Sequence, residues 1–462
     1  MFGQHHQHAP ALVHRLEGEV VMTRSSERPD TPETATAATL RRTTWAAGVG
    51  MTVETYDYAV YGFLATVLAA NFFPSSSPGV ALLSSLAVFG VAFVVRPLGG
   101  AIFGPLADRI GRQPTLVITL LGMAAVSTLI GLLPTAETIG IAAPILLVAL
   151  RMLQGLSAGG EYGTALIYAA EFSPEGRRGA VTSRVQAGCL VGLLLAATAV
   201  LGLNLLLTPE AMQAWGWRVP FLLALPLGVV GLYLRNQLGE TPEFTAVRDA
   251  DAPPPPPVDR KLRRALLLVG VAVLHTVSFY VAFTYVQTFS IGLGFSPVAA
   301  TGAIVISLLV GVVLVIAAGR LSDRVGRRPV LIGGALAIAL ASYPLVAGVT
   351  NASGFWSLTL CVVLLGAAPA FYAGVAPITY IELFPVHARG TGVSLSYNIT
   401  VAIFGGTCVY LCQWLIEVTG DNRAPAFVLI GAAVISGLAT LGLRSVLPAN
   451  RTTAVTARLG AP

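Results

Sequence analysis

Twelve apolar runs follow one another along this chain, each long enough to cross a bilayer at roughly 20 residues per helical span. They fall at about 46–71, 79–103, 114–134, 138–169, 180–207, 217–237, 265–290, 297–318, 329–349, 356–380, 391–416 and 424–446. Only 11% of the residues are charged and 55% are hydrophobic, and the mean hydropathy is +0.76. A soluble fold of 462 residues has too few polar side chains here to cover its surface. The chain is therefore expected to be an all-α integral membrane protein with twelve transmembrane helices.

The segments between the runs set the organisation. Residues 1–43 mix Pro, Thr, Glu and Arg with His5, His6, His8 and His14 and no periodicity, which reads as a disordered tail rather than a metal site. No basic segment leading into a short apolar core marks a cleaved signal peptide. Residues 44–238 and 265–446 then form two six-helix bundles. Between them, 239–264 reads as a linker with five consecutive prolines, 253–257, followed by Arg260, Lys261, Arg263 and Arg264. With both tails (1–43 and 447–462) on the inside, the inner loops and helix ends carry 24 of the 28 Lys and Arg residues. That bias predicts cytoplasmic termini and a multi-pass protein of the cell inner membrane.

Several functions are disfavoured. Lys261 is the chain's only lysine and lies in Asp259-Arg260-Lys261-Leu262, so no nucleotide-binding Gly-Lys-Ser/Thr loop exists. Any transport must draw on a gradient or a partner, and no cofactor is expected. Cys189, Cys361, Cys408 and Cys412 lack the spacing of a zinc site or disulfide framework and read as inert thiols. No intramembrane nucleophile and base, metal cluster or nucleic-acid-binding feature stands out, so an enzyme is not expected. No obligatory protein partner is indicated either.

Two motifs occur twice. Gly104-Pro-Leu-Ala-Asp108-Arg109-Ile-Gly111-Arg112 returns as Gly319-Arg-Leu-Ser-Asp323-Arg324-Val-Gly326-Arg327, 215 residues later. Glu171-x-x-Pro174-x-x-x-Arg178-Gly179 returns as Glu382-x-x-Pro385-x-x-x-Arg389-Gly390, 211 residues later. Each half is thus built on one six-helix plan, and carriers of this kind bind solute near the midplane where the halves meet.

Ionisable residues at membrane depth are costly and read as functional. Glu54, Asp57 and Tyr61 share a face of the first span with Tyr58 beside them, and Asp57 is about 11 residues, or roughly 17 Å, into it. Burial favours the neutral acid there and a nearby arginine favours the carboxylate, which suits proton coupling. In the fourth span Arg151, Gln154 and Glu161 share a face. Arg151, whose guanidinium can grip a carboxylate bidentately, is the first choice of anchor for an anionic or zwitterionic solute. The alternative is that Arg151 only pairs with Asp57, Glu54 or Glu161. Arg96 reads equally as lining the inner vestibule or snorkelling toward the loops. His275, Tyr280, Tyr285, Tyr372, Tyr397 and Asn398 offer polar edges from the second half. Asp108 and Asp323 sit where a carboxylate caps a helix N-terminus, and Arg109, Arg112, Arg324, Arg327 and Arg328 can pair with Glu171 and Glu382.

The repeated loop motifs resemble those of the major facilitator superfamily. Glu54-Thr-Tyr-Asp57-Tyr-Ala-Val-Tyr61-Gly62, Arg96-Pro97-Leu-Gly-Gly, Arg151-x-x-Gln154-Gly155-x-x-x-Gly159-Gly160-Glu161, Glu240-Thr-Pro-Glu-Phe244 and Glu382-Leu-Phe-Pro385 resemble its metabolite:proton symporter branch. That branch moves proline and betaine, α-ketoglutarate, citrate, shikimate and related acids. The resemblance covers about 45–446 and departs at Thr55 and Thr164. It implies that Gly104, Asp108, Arg109, Gly111, Arg112, Glu171, Arg178, Asp323, Arg324, Gly326, Arg327, Glu382 and Arg389 form a cytoplasmic gate. The fifth span lacks the Gly-Pro motif of many drug antiporters, which favours uptake. The expected function is proton-coupled symport of a small organic acid, such as a dicarboxylate, α-keto acid or shikimate-like acid. The alternative is a zwitterionic osmolyte such as proline or betaine, whose amine would seek aromatic faces; a non-transporting sensor is the more distant one.

Overall fold

The computed structural model describes residues 37–75, 77–110, 112–159, 161–174, 176–236, 258–385 and 388–445. Among these the secondary structure is helical throughout, as bilayer hydrocarbon requires of a chain whose backbone polar groups must satisfy one another. Twelve spans follow in order. The first six are α1 (Ala37–Phe63, continuing as Ala65–Phe72), α2 (Pro78–Ile110), α3 (Arg112–Leu132), α4 (Ala142–Ala158 and Glu161–Glu171), α5 (Arg178–Leu206) and α6 (209–236). The second six are α7 (Lys261–Gly292, with a π-helical stretch at Val281–Tyr285), α8 (Pro297–Val325), α9 (Arg327–Thr350), α10 (Phe355–Ala373 and Ala376–Glu382), α11 (Arg389–Thr419) and α12 (Ala424–Gly442). Ten helices of the described residues are long and apolar enough to cross a membrane, and α3 contributes a shorter apolar helix, Val117–Leu132.

The helices outrun their apolar runs. α1 starts at Ala37, inside the expected tail, α2 and α8 continue to Ile110 and Val325, and α7 begins at Lys261, inside the expected linker. A helix needs its backbone hydrogen bonds, not lipid, to continue, so polar end turns escape a reading based on hydropathy. α6 starts at Pro209 rather than 217, because Thr208 caps it by accepting the Ala211 amide at 3.3 Å. The expected disordered tail up to 36, the linker from 239 to 257 and the tail from 447 lie outside the described residues.

Large apolar side chains such as Leu132, Leu206, Leu340 and Leu438 point outward, and Trp45 and Trp356 sit exposed near helix ends, where an indole suits the membrane interface. The two bundles meet mainly along α5 with α8 and α2 with α11. Small residues allow this approach: a side chain on Gly90 would press on the Gly406 backbone, and one on Gly319 would collide with Ser183. α4 and α10 are interrupted at equivalent points of the repeat, around Gly159 and around Gly374-Val375.

Candidate functional site

Between the bundles lies a narrow cavity of about 20 Å³ lined by Glu54 and Tyr58 of α1, Arg96 of α2, Tyr162 of α4, Gln186 and Cys189 of α5, His275, Phe279 and Tyr280 of α7, and Tyr397 of α11. Close packing at the α4 break puts Arg96 there: a side chain on Gly155 would strike the Ala92 carbonyl, and one on Gly159 the Arg96 carbonyl. Arg96 Nη2 is 3.3 Å from Glu54 Oε1, with the two residues 5% and 1% exposed. The same guanidinium lies 5.4 Å from the centre of the Tyr58 ring and 5.0 Å from that of Phe93. Tyr280 closes the aromatic wall, 5.9 Å from Tyr58 and 5.0 Å from Phe93 between ring centres.

A polar chain crosses the bundle interface beside the cavity. The Tyr162 hydroxyl donates to Gln186 Oε1 at 2.9 Å, the Gln186 amide nitrogen is 3.4 Å from His275 Nε2, and His275 Nδ1 is 3.0 Å from the Tyr380 hydroxyl. With Gln186 Oε1 already accepting, its amide donates to Nε2, which assigns the ring proton to Nδ1, facing Tyr380. Tyr162 also stacks on Tyr397, ring centres 4.1 Å apart.

Arg151 and Asp57, the expected anchor and coupling carboxylate, line no part of this cavity. They belong to a separate buried network. Arg151 donates through Nη1 to Gln154 Oε1 and through Nη2 to the Phe89 carbonyl at 3.3 Å, and its guanidinium lies 4.3 Å from the Tyr61 ring centre. The Gln154 amide donates to Asp57 Oδ2 at 3.1 Å and to Ser127 at 2.7 Å. Asp57 Oδ1 has no hydrogen-bond partner among the described residues. Tyr61 donates to the Ser85 carbonyl at 3.1 Å. Glu161 is buried in the first turn of the second α4 segment, where a carboxylate complements the helix N-terminus. Tyr285 donates to Gln413 at 2.9 Å, Tyr372 to the Val271 carbonyl at 3.0 Å and Asn398 to the Gly159 carbonyl at 2.6 Å, all outside the cavity. Sequence reasoning missed Tyr162, Gln186, Phe93 and Phe279. Gln186 was the most visible, an amide inside the apolar run at about 180–207.

At the arginine-rich end, contacts join the bundles directly. Asp323 accepts the backbone amides of Gly179 and Ala180 at 2.9 and 2.8 Å, capping α5 from the other half. Arg327 pairs with Asp323 at 2.7 Å and with Glu382 at 3.0 Å, and Arg389 with Glu171 at 3.6 Å. Gly326 adopts φ +93°, a turn between α8 and α9 that a side chain would strain. Arg324 is exposed and Arg178 half-buried. The side chains of Gly104, Asp108, Arg109, Gly111 and Arg112, expected in the same gate, lie outside the described residues. The opposite end is closed as well: Gln287 of α7 donates to the Phe63 carbonyl of α1 at 3.4 Å, and a side chain on Gly62 would strike Thr284.

Two six-helix bundles built on one plan, bridged near both ends of a charged and aromatic cavity, define a membrane solute carrier. The chain belongs to the Major Facilitator Superfamily, whose family model matches residues 47–406 and 303–459. It is 38% identical over 423 residues to the glycine betaine/proline/ectoine/pipecolic acid transporter OusA of Dickeya dadantii, covering 88% of this chain and 83% of that protein. It is 37% identical over 430 residues to the proline/betaine transporter of Escherichia coli K12, covering 89% and 84%. Among solved structures, the partially occluded inward-open xylose transporter XylE from E. coli superposes with a TM-score of 0.68 at 19% identity, over 90% of this chain and 99% of that one; this likeness concerns the fold.

Proposed function

We propose that this protein is a proton-coupled symporter that takes up a small zwitterionic solute of the proline and betaine kind across the inner membrane, with its arginine-rich end in the cytoplasm. One observation carries the reading: a buried Glu54–Arg96 pair set in a wall of aromatic rings. The solute carboxylate takes the Arg96 fork. Its ammonium takes the faces of Tyr58, Phe93 and Tyr280, which attract a desolvated cation. Glu54, parted from Arg96, is then a carboxyl without its counter-ion in a buried site, and it takes up a proton. Asp57, one turn further along α1 and hydrogen-bonded by the neutral side chains of Gln154 and Ser127, is the second candidate proton carrier.

The relatives support this reading over the organic acid expected first, since the proteins at 37–38% identity are named for betaine and proline. The cavity supports it too. A dicarboxylate would want a second cation, and Arg151 is turned to Gln154 and Phe89 instead. The test is uptake into proteoliposomes under an imposed inward proton gradient, with labelled glycine betaine, proline, α-ketoglutarate and shikimate. Accumulation of betaine or proline that an uncoupler abolishes is the expected result; accumulation of an acid alone would return the organic-acid reading.

A further inference from the structure

We infer that the Glu54–Arg96 pair is a built-in zwitterion that fills the solute's place when the carrier returns unloaded, letting the cavity seal on the protein's own side chains. This rests on the zwitterion reading above. The guanidinium that would hold the solute carboxylate holds Glu54, 3.3 Å away. The rings that would receive the solute ammonium receive the guanidinium, 5.4 Å from Tyr58 and 5.0 Å from Phe93. Each recognition element of the cavity is thus satisfied by another, and the pair is neutral as a whole.

Sealing a lone guanidinium from water is costly, whereas sealing a paired one is far less so. Solute with a proton on Glu54 satisfies Arg96; so does ionised Glu54 without solute. Protonated Glu54 without solute leaves Arg96 bare, and the cavity resists closing. The carrier therefore crosses fully loaded or fully unloaded, and a proton does not cross alone.

Cys189 lines the same cavity and reports on it. In a background carrying Cys361→Ser, Cys408→Ser and Cys412→Ser, alkylation of Cys189 by N-ethylmaleimide is followed against pH in the purified protein without solute, so that each rate is referred to the thiolate and a direct effect of Glu54 or Arg96 on the thiol is divided out. The parent should react slowly. Glu54→Gln should react faster by on the order of tenfold, and Glu54→Ala, a second charge-free variant, should behave alike. Glu54→Asp should stay slow. Adding Arg96→Gln to Glu54→Gln should restore slow labelling, because the charge that opposed sealing is gone. If both charge-free variants label no faster than the parent, or the double variant stays as fast as the single, the inference is overturned. Saturating glycine betaine or proline should slow labelling of Glu54→Gln. If neither does while the variant still labels fast, the built-in pair stands and the zwitterion reading falls.

Discussion

Arg96 reaches the cavity with Glu54 and two ring faces around it, whereas Arg151 gives its donors to Gln154 and the Phe89 carbonyl and lies over Tyr61. Arg96→Lys keeps the charge but loses the planar fork and the ring stacking, so solute KM should rise by about tenfold or more in uptake assays. Arg151→Lys should leave KM within about threefold and instead lower the melting temperature in detergent, because it loosens a buried hydrogen-bonded charge. Tyr58→Leu removes a cation–π face worth about 0.5–2 kcal/mol, an affinity loss for glycine betaine of roughly 2- to 30-fold by binding titration. The α1 residues were legible as one face, but the choice between the two arginines was not. Residue counting estimates depth along a straight axis, and it sees neither the break in α4 nor the contact of Gly155 with Ala92 that sets which arginine meets Glu54.

Among the elements, α5 and α8 form the contact most open to a direct test. Asp323 spends both oxygens on the first amides of α5 in the other half and also holds Arg327. Asp323→Ala removes charge-assisted bonds worth about 1–3 kcal/mol net. The equilibrium should move toward the state open at the arginine-rich end by about 5- to 150-fold, read as faster alkylation of Cys189 from that side in oriented vesicles. The spans were legible because hydropathy reports lipid contact. The interruptions at Gly159, at Gly374-Val375 and in the π-helical stretch of α7 were not, because they answer to backbone packing between helices rather than to the bilayer.

For the whole molecule, the proposed cycle moves a neutral zwitterion together with a proton, so loaded transport carries net positive charge inward. An inside-negative potassium diffusion potential should speed betaine uptake into proteoliposomes at zero pH gradient, and an inside-positive one should slow it. A lone monocarboxylate entering with one proton would show no such dependence. The break in α4 has a mechanical side as well. The second segment of α4, Glu161–Glu171, bears Tyr162 at the cavity near its start and Glu171 at an inter-bundle ion pair at its end. It is a stiff rod about 16 Å long at 1.5 Å per residue, starting at the break in α4 and touching the solute chamber at one end and the ion pair with Arg389 at the other. A small push from the occupant is thereby delivered as a displacement at that pair, and strain at the pair is felt in the chamber. The first half thus holds a lever through which occupancy and closure inform one another.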